Sequence, residues 1–182
     1  MNKLNKPNLI TGNFVTLRNV NLNDAEFILS LRTNPEKNKY LSITSNNINN
    51  QKIWLNNYSF DKSQFYFIIT NSHNKPFGTI RLYDINSENF CWGSWILSDG
   101  APINFALESM LIIYSFALSL GLKNSNFDVR RENISVCSFH ERLGAIKTSE
   151  DELNIYYNLP YIQIIKILNK FKNKLPTGIL IS

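Results

Sequence analysis

The residues best suited to proton transfer are one histidine and two carboxylates. His140 lies in the segment VRRENISVCSFHERLGA, and an unperturbed histidine, with a pKa near 6.5, exchanges protons at neutral pH. Asp84 and Glu88 lie around a predicted turn, where a carboxylate can take a proton from an incoming group. Each also has a simpler explanation, because helices often carry a structural histidine and turns favour acidic residues.

Arginine and aromatic side chains could hold an anionic or planar ligand. Arg81 and the pair Arg130-Arg131 can bind phosphates through parallel N–H groups, although surface solvation is the default for at least one of the adjacent pair. Tyr83, Trp92 and Trp95 could line a pocket and stack on a sugar or base. Strict alternation along a strand would place the two tryptophans on opposite faces, so we expect at least one in the core.

The first third of the chain is predicted to form one strand and two helices. The alternating run Phe14 to Val20 is typical of a half-buried strand. Asn23 and Glu26 have the spacing of a capping box, so a helix is expected to begin there and to end at Asn34-Pro35. A second, short helix is expected from Gln51 to Tyr58.

Three β-rich runs separated by turn signals predict an antiparallel meander. They are Phe65 to Thr70, Phe77 to Ile85 and Phe90 to Leu97. The apolar run Asn104 to Leu120 then predicts a helix packed under the sheet, with Gly121 at its end. Polar residues interrupt this run, which argues against a membrane span.

The remainder is predicted to form a strand, a helix and a strand. These are a strand from Asn126 to Arg130, a helix capped by Asn133 and ended by Gly144, and a strand from Leu153 to Leu159. The order of elements is therefore βααβββαβαβ. The basic, amphipathic stretch Tyr161 to Phe171 follows as a further helix.

The segment Val129 to Ala145 resembles the most recognisable part of the GNAT acetyltransferase superfamily. It contains a strand end, an asparagine helix cap, an aromatic residue, the titratable His140 and a closing Leu-Gly. The resemblance covers about Phe14 to Leu159 and is strongest to the branch of sugar-nucleotide (amino-sugar) and ribosomal-protein acetyltransferases. It implies an α/β (α+β) fold with a mixed, twisted central sheet of about six to seven strands and helices on both faces. A GNAT domain over residues 1–160 would be followed by an amphipathic helix and tail over 161–182.

The resemblance also implies acetyl-CoA as co-substrate, with its pyrophosphate on the first amides of the helix after the meander. The preceding loop, SDGAPI, departs from the family pattern, because Asp99 adds a negative charge and Pro102 removes a donor. Backbone groups of Ser94 to Leu97 would bind the acetyl carbonyl and the pantetheine arm. The implied cofactor-binding residues are Ile96, Leu97, Ser98, Gly100, Ala101, Ile103, Asn104, Phe105, Asn133 and Phe139.

The activity implied by the resemblance is acetyl transfer to a primary amine by direct attack, without a covalent enzyme intermediate. His140 stands where many relatives carry a tyrosine that protonates the departing thiolate. Asp84, Glu88 or a water chain would deprotonate the amine. The expected acceptor-binding residues are Arg81, Tyr83, Trp92 and Trp95.

Three hypotheses about the function stay open, and the first two differ in the acceptor. The first is a nucleotide-linked amino sugar in bacterial surface-glycan biosynthesis, and the alternative is a protein or peptide amine. The third is a fold without catalysis that binds an anionic ligand or nucleic acid. A closed aromatic pocket with phosphate ligands would favour the first, and a groove for an extended peptide the second.

Composition limits the class of protein and its partners. The 182 residues, 43% of them hydrophobic, suffice for one substantial core, and the net charge of +5 permits an anionic small molecule. We expect no nucleic-acid partner, since no such motif is present, and a homodimer is left open. Cys91 and Cys137 lack metal-site spacing, so no disulfide and no metal are expected. Residues 1–14 lack an apolar signal segment, which predicts a cytoplasmic protein without integral membrane association.

Overall fold

One mixed sheet organises the chain in a computed structural model that describes residues 5–182. Residues 1–4, which begin the stretch examined for a signal segment, lie outside the described residues. The strands are β1 (Leu9–Thr11), β2 (Thr16–Asn19), β3 (Phe65–Thr70), β4 (Pro76–Asn86), β5 (Asn89–Leu97), β6 (Asn124–Arg130), β7 (Ile146–Glu150), β8 (Asn154–Leu159) and β9 (Leu180–Ile181). The helices are α1 (Ala25–Thr33), α2 (Ile48–Phe60), α3 (Asn104–Ser119), α4 (Ile134–Arg142) and α5 (Tyr161–Lys170).

The strands follow the order β7-β8-β6-β5-β4-β3-β2-β1-β9 across the sheet. Neighbours are antiparallel except β5 and β6, which run parallel and are connected through α3. A parallel pair needs a crossover of this kind, whereas the meander β3-β4-β5 needs only turns. The predicted mixed sheet is confirmed.

Strand β3 shows that helices cover both faces of the sheet, because all of its residues are buried. Phe65, Phe67 and Ile69 face the main core, which contains most of α3. The alternate residues Tyr66 and Ile68 face a smaller core with α1 and α2. An alternating strand can bury both sets only when each face is covered.

The predicted count of six to seven strands is too low, because the described chain has nine. Strands β1 and β9 have only three and two residues, too few for a period to be recognised. Every residue of β7 is exposed, so this edge strand has no alternation of apolar and polar side chains. Short or fully solvated strands carry no pattern for a sequence to reveal.

The predicted helices are present with shifted ends. The capping box before α1 uses Asn21 and Asp24, around a 3-10 helix over Leu22–Asp24, rather than Asn23 and Glu26. Helix α2 starts three residues before the prediction, because the Asn47 side chain accepts from the first-turn amides. The apolar run in α3 is a buried helix, as predicted, and within residues 5–182 no helix is long and apolar enough to cross a membrane.

The C-terminal segment 161–182 packs into the same core as the rest of the chain. Ile164 and Ile167 of α5, and Leu175 after it, belong to the main hydrophobic cluster. Strand β9 then pairs with β1, with Ile181 opposite Ile10. The predicted helix is thus present, and the tail beyond it extends the central sheet.

Candidate active site

Strands β5 and β6 separate soon after they begin. Their register pairs Asn89 with Asn124 and Phe90 with Ser125, and the described residues form no later pair. Strand β6 continues to Arg130, bonded only to β8 on its other side. The opening is a cavity of about 410 Å³, hereafter the slot, lined by Trp92 to Trp95 of β5 and by residues of β6 and α4.

A β-bulge in β5 lies at the edge of the slot. Thr79 of β4 pairs with Ile96 and Arg81 pairs with Gly93, so β5 has one residue more than β4 in this interval. The extra residue falls at Ser94, whose φ of 47° is in the left-handed region. The Thr79 hydroxyl donates a 2.7 Å hydrogen bond to the Ser94 carbonyl. The bulge therefore turns main-chain groups of β5 out of the regular ladder, next to the slot.

The bulge also changes the placement of the two tryptophans. Trp92 and Trp95 lie on the same side of the sheet, with ring centroids 5.3 Å apart, so their predicted placement on opposite faces is wrong. Their indole N–H groups bond to α3, Trp92 to Tyr114 Oη at 3.2 Å and Trp95 to Ser109 Oγ at 3.1 Å. Both line the slot, not the second cavity described next. The extra residue in β5 lies between the two tryptophans, so it reverses the alternation of side chains between the two faces and brings both rings to the same face.

A second cavity of about 410 Å³ lies between α1, α2 and the sheet. This α2 cavity is lined by Arg81 and Tyr83, two of the four residues predicted to bind the acceptor, and by Trp54, which was not among the candidates from sequence. Its lining shares four residues with that of the slot: Arg32, Ser42, Tyr83 and Ser94. The two cavities therefore meet at the β5 bulge, and ligands in them could react there.

The α2 cavity is positively charged. Arg32 donates to Thr44 Oγ1 and Ser42 Oγ, both at 2.8 Å. Arg81 donates from Nε to Gln64 Oε1 at 2.5 Å, and its guanidinium lies 4.6 Å from the centroid of the Tyr83 ring. Among the described lining residues there is no carboxylate to offset these two charges. An anionic ligand suits this cavity.

Asp128 is the one carboxylate among the described residues that line the slot. It lies in β6 opposite Tyr156 of β8, between the inward-facing Phe127 and Val129. Asp128 was not among the candidates from sequence, although the alternation of β6 is the signal that could have revealed it. The register places its carboxylate on the face opposite the main core, at the mouth of the slot.

The two carboxylates proposed from sequence lie elsewhere. Asp84 lines a separate cavity of about 360 Å³, to which Asp128 also contributes. Glu88 forms an ion pair with Lys123 at the surface, at the end of β5 where the strands are still paired. The structure brings neither residue to the bulge at Ser94, because Asp84 lies near the end of β4 and Glu88 in the turn before β5, both toward the opposite end of β5.

His140 lines the slot and is only 6% exposed. Its ring centroid lies 4.3 Å from that of Phe127 and 5.1 Å from that of Phe139. Its Nδ1 is buried without a hydrogen-bond partner in the described chain. Burial in this aromatic surrounding lowers the pKa of His140 to about 4, so the imidazole is neutral at pH 7.

Two further residues assigned to the cofactor belong to the α4 region, Asn133 as the N-cap of the helix and Phe139 within it. Asn133 accepts from the Val136 N–H at 3.4 Å, which caps the helix, and also lines the slot. The helix-cap and ligand roles are thus compatible. Phe139 packs against Trp95 with ring centroids 6.0 Å apart and supports the wall behind the slot.

The loop before α3 leaves the start of that helix open. The N-cap residue Ile103 makes no side-chain cap and is 98% exposed, ahead of Asn104 in the first turn. The charge of Asp99 is offset by Lys37, whose Nζ lies 2.5 Å from Oδ1. Gly100 is exposed, and an added Cβ would meet nothing within 4 Å. Open first-turn amides fit a phosphate group.

The other residues assigned to the cofactor could contribute main-chain groups more readily than side chains. Ile96 is buried, and the Phe105 ring packs 5.1 Å from Phe77, so both side chains face the core. Leu97 is partly buried. Ser98 N–H bonds to Phe77, and the Ser98 carbonyl accepts from Ala101, which closes a turn before α3. The slot, this turn and the open helix end together fit an extended ligand with a phosphate group.

Comparison with known proteins agrees with this geometry. The family model described as Acetyltransferase (GNAT) domain matches residues 15–146. A solved structure described as apo FdhC, a nucleotide-linked sugar GNAT, is 39% identical, with a TM-score of 0.83 over 94% of this chain and 99% of that chain. No curated protein matches the sequence.

More distant structures share the fold. A spermidine N-acetyltransferase from Vibrio cholerae, in complex with CoA and spermine, is 16% identical, with a TM-score of 0.73 over 83% of this chain and 98% of its own. A GCN5-related N-acetyltransferase from Brucella melitensis is 13% identical, with a TM-score of 0.75 over 93% of this chain and 86% of its own. The family match and the 39% identical structure establish that this chain belongs to the GNAT acetyltransferase family.

Proposed function

We propose that this acetyltransferase acetylates the amine of a nucleotide-linked amino sugar. The observation that carries the proposal is the α2 cavity, which holds Arg32 and Arg81, has no carboxylate in its described lining and meets the slot at Ser94. A sugar nucleotide carries two phosphates next to its sugar, and guanidinium groups bind phosphates in a bidentate manner. The 39% identical structure is itself described as a nucleotide-linked sugar GNAT. The proposal keeps the predicted role in bacterial surface-glycan biosynthesis.

A polyamine is a poor fit to the same cavity. Spermidine is a polycation, and Arg32 and Arg81 would repel it without a carboxylate in the described lining to compensate. The spermidine acetyltransferase neighbour shares only 16% identity. The charge of the cavity, not the shared fold, distinguishes the two acceptor classes.

Acetyl-CoA supplies the acetyl group as a thioester. We propose that the slot holds its pantetheine arm against the free edge of β5 and that Asn133 donates to that arm. The open first turn of α3 and the turn from Ser98 to Ala101 would receive the pyrophosphate. Lys37 beside Asp99 keeps that loop from carrying an uncompensated negative charge.

We propose a residue for each charge that forms in the reaction. Asp128 at the mouth of the slot would bind the ammonium form of the acceptor and accept its proton. Main-chain N–H groups of the Ser94 bulge would donate to the oxyanion that forms on the carbonyl. His140, neutral at pH 7, would stabilise the departing thiolate through a hydrogen bond from its ring N–H, and the thiolate would take its proton from solvent, which revises the predicted role of His140 as the acid.

The proposal is tested by thiol release from acetyl-CoA with three acceptor classes: nucleotide-linked amino sugars, spermidine and short peptides with a free N-terminus. We expect turnover with at least one nucleotide-linked amino sugar and a kcat/KM at least tenfold lower for the other two classes. Turnover with peptides or spermidine alone would overturn the proposal. An absence of acetyl-CoA binding would instead favour a non-catalytic binding protein.

A further inference from the structure

Helix α2 presents a tryptophan to the α2 cavity. Trp54 is 36% exposed, although large aromatic side chains next to a core are usually covered. Its ring is held from the protein side by Tyr58, parallel at 5.7 Å, and by Tyr66, edge-on at 5.6 Å. An indole that is fixed in position yet open to the cavity is a contact surface for a planar ligand.

Arg81 extends this surface toward the bulge. Its guanidinium lies 5.4 Å from the Trp54 ring centroid and 4.6 Å from that of Tyr83. Because Gln64 accepts from Nε, the side chain is held in place while its two terminal nitrogens have no ion-pair partner among the described residues. These nitrogens form the fork that suits a phosphate oxygen pair.

Amide side chains complete the wall. Asn50 and Gln51 line the α2 cavity and precede Trp54 by four and three residues on α2. Residues with this spacing lie on one face of a helix, so the two amides and the indole face the cavity together. Amides offer both donors and acceptors, which the edge of a nucleobase requires.

We propose that Trp54, with Asn50, Gln51 and Arg81, forms a nucleotide subsite, in which the base lies against the indole and a phosphate binds Arg81. The inference rests on the proposed function and assigns the nucleotide end of the acceptor to α2. The sugar then lies between Arg81 and the bulge, because Tyr83 and Ser94 belong to both cavities. Recognition of the nucleotide is thereby separated from the reacting groups.

The test combines a shortened substrate with substitutions. A nucleotide-linked amino sugar and the corresponding amino sugar 1-phosphate are compared in the wild type, Trp54→Ala and Trp54→Phe. Stacking of one base on an aromatic ring corresponds to a factor of roughly ten or more. We expect Trp54→Ala to lower kcat/KM about tenfold for the nucleotide-linked substrate, through KM, and to leave the sugar phosphate unchanged. Trp54→Phe should retain most of the activity.

The matched control is Ile53→Ala, the neighbouring residue on α2, which is 60% exposed and does not line the cavity. This substitution should leave kcat/KM unchanged for both substrates. The subsite is overturned if Trp54→Ala lowers kcat/KM equally for both substrates, or for neither of them. Melting temperatures of all variants separate a loss of folding from a loss of recognition.

A binding experiment distinguishes failure of the subsite from failure of the proposed function. UDP and inorganic pyrophosphate are titrated into the wild type and into Trp54→Ala by calorimetry. Tighter binding of UDP that disappears in the variant supports the subsite even if no amino sugar is acetylated. Equal affinity of the wild type for UDP and pyrophosphate contradicts it, whatever the acceptor proves to be.

Discussion

The hydroxyl of Thr79 in β4 donates a 2.7 Å hydrogen bond to the carbonyl of Ser94, which lies in the bulge of β5. Thr79 is fully buried, and Ser94 lies where the slot and the α2 cavity meet. A residue with no exposed surface therefore fixes the main-chain groups on which the proposed oxyanion contact depends.

Replacing Thr79 by valine keeps the shape of the side chain and removes its hydroxyl. We expect kcat to fall about tenfold or more, because a misplaced oxyanion donor costs a few kcal/mol of transition-state stabilisation. The affinity for acetyl-CoA should change little. Thr79→Ser, which keeps the hydroxyl, should restore most of kcat, and steady-state kinetics of the two variants would contradict the account if their kcat values were equal.

Asp128→Asn tests the assignment of the proton acceptor. The amide cannot take a proton, so kcat/KM should fall by about 10²-fold at neutral pH and recover in part at high pH, where the acceptor arrives as a free amine. Asp84→Asn serves as the control, since Asp84 does not line the slot. A larger loss in the Asp84 variant would return the role to one of the two carboxylates named from the sequence.

His140 makes the stability of the protein depend on pH. Its pKa is about 4 in the folded state and about 6.5 when unfolded. The unfolded chain therefore binds the proton first, and stability that is complete above pH 6.5 is lost as the pH falls toward 4. When the pH falls from 7 to 5, protonation of His140 in the unfolded chain should lower the free energy of unfolding by about 2 kcal/mol.

His140→Leu should remove that part of the pH dependence in denaturant unfolding curves. The exposed His73 provides the control, and His73→Gln should keep the wild-type slope. The same slope in all three proteins would show that His140 is not buried as described.

Glu108 links α3 to the turn between β1 and β2. One carboxylate oxygen accepts from the N–H groups of Asn13, Phe14 and Val15 at 2.7, 2.7 and 2.9 Å. Glu108→Gln keeps the size of the side chain but weakens these charge-assisted hydrogen bonds. The free energy of unfolding should therefore fall by about 1–3 kcal/mol. Chemical denaturation measures the difference. Glu26→Gln, at an exposed position in α1, should change stability by less than about 0.5 kcal/mol.

Much of the fold could be predicted because most of its strands and helices carry a clear period or cap. The limits of β3 were predicted without error, and Asn133 caps α4 as its position indicated. Strand β7 could not be predicted, because none of its residues is buried and its pairing with β8 depends on a neighbour elsewhere in the sequence.

The candidate site was predicted less completely, for a geometric reason. The bulge at Ser94 inserts one residue and brings Trp92 and Trp95 to the same side, and no local pattern marks that insertion. Arg32, Trp54 and Asp128 lie on three different elements, and only the folded chain brings them to adjoining cavities. The sequence could place His140 on its helix, because the cap at Asn133 and the end at Gly144 belong to one contiguous segment.

The central claim is that acetyl-CoA lies in the slot between β5 and β6. Calorimetric titration of acetyl-CoA into the wild type and into Val136→Trp tests it directly, because Val136 lines the slot from α4 and an indole there would fill it. The account predicts one acetyl-CoA per chain in the wild type and a large loss of affinity in the variant at an unchanged melting temperature. Equal affinity in the two proteins, or no binding to the wild type at millimolar acetyl-CoA, would contradict it.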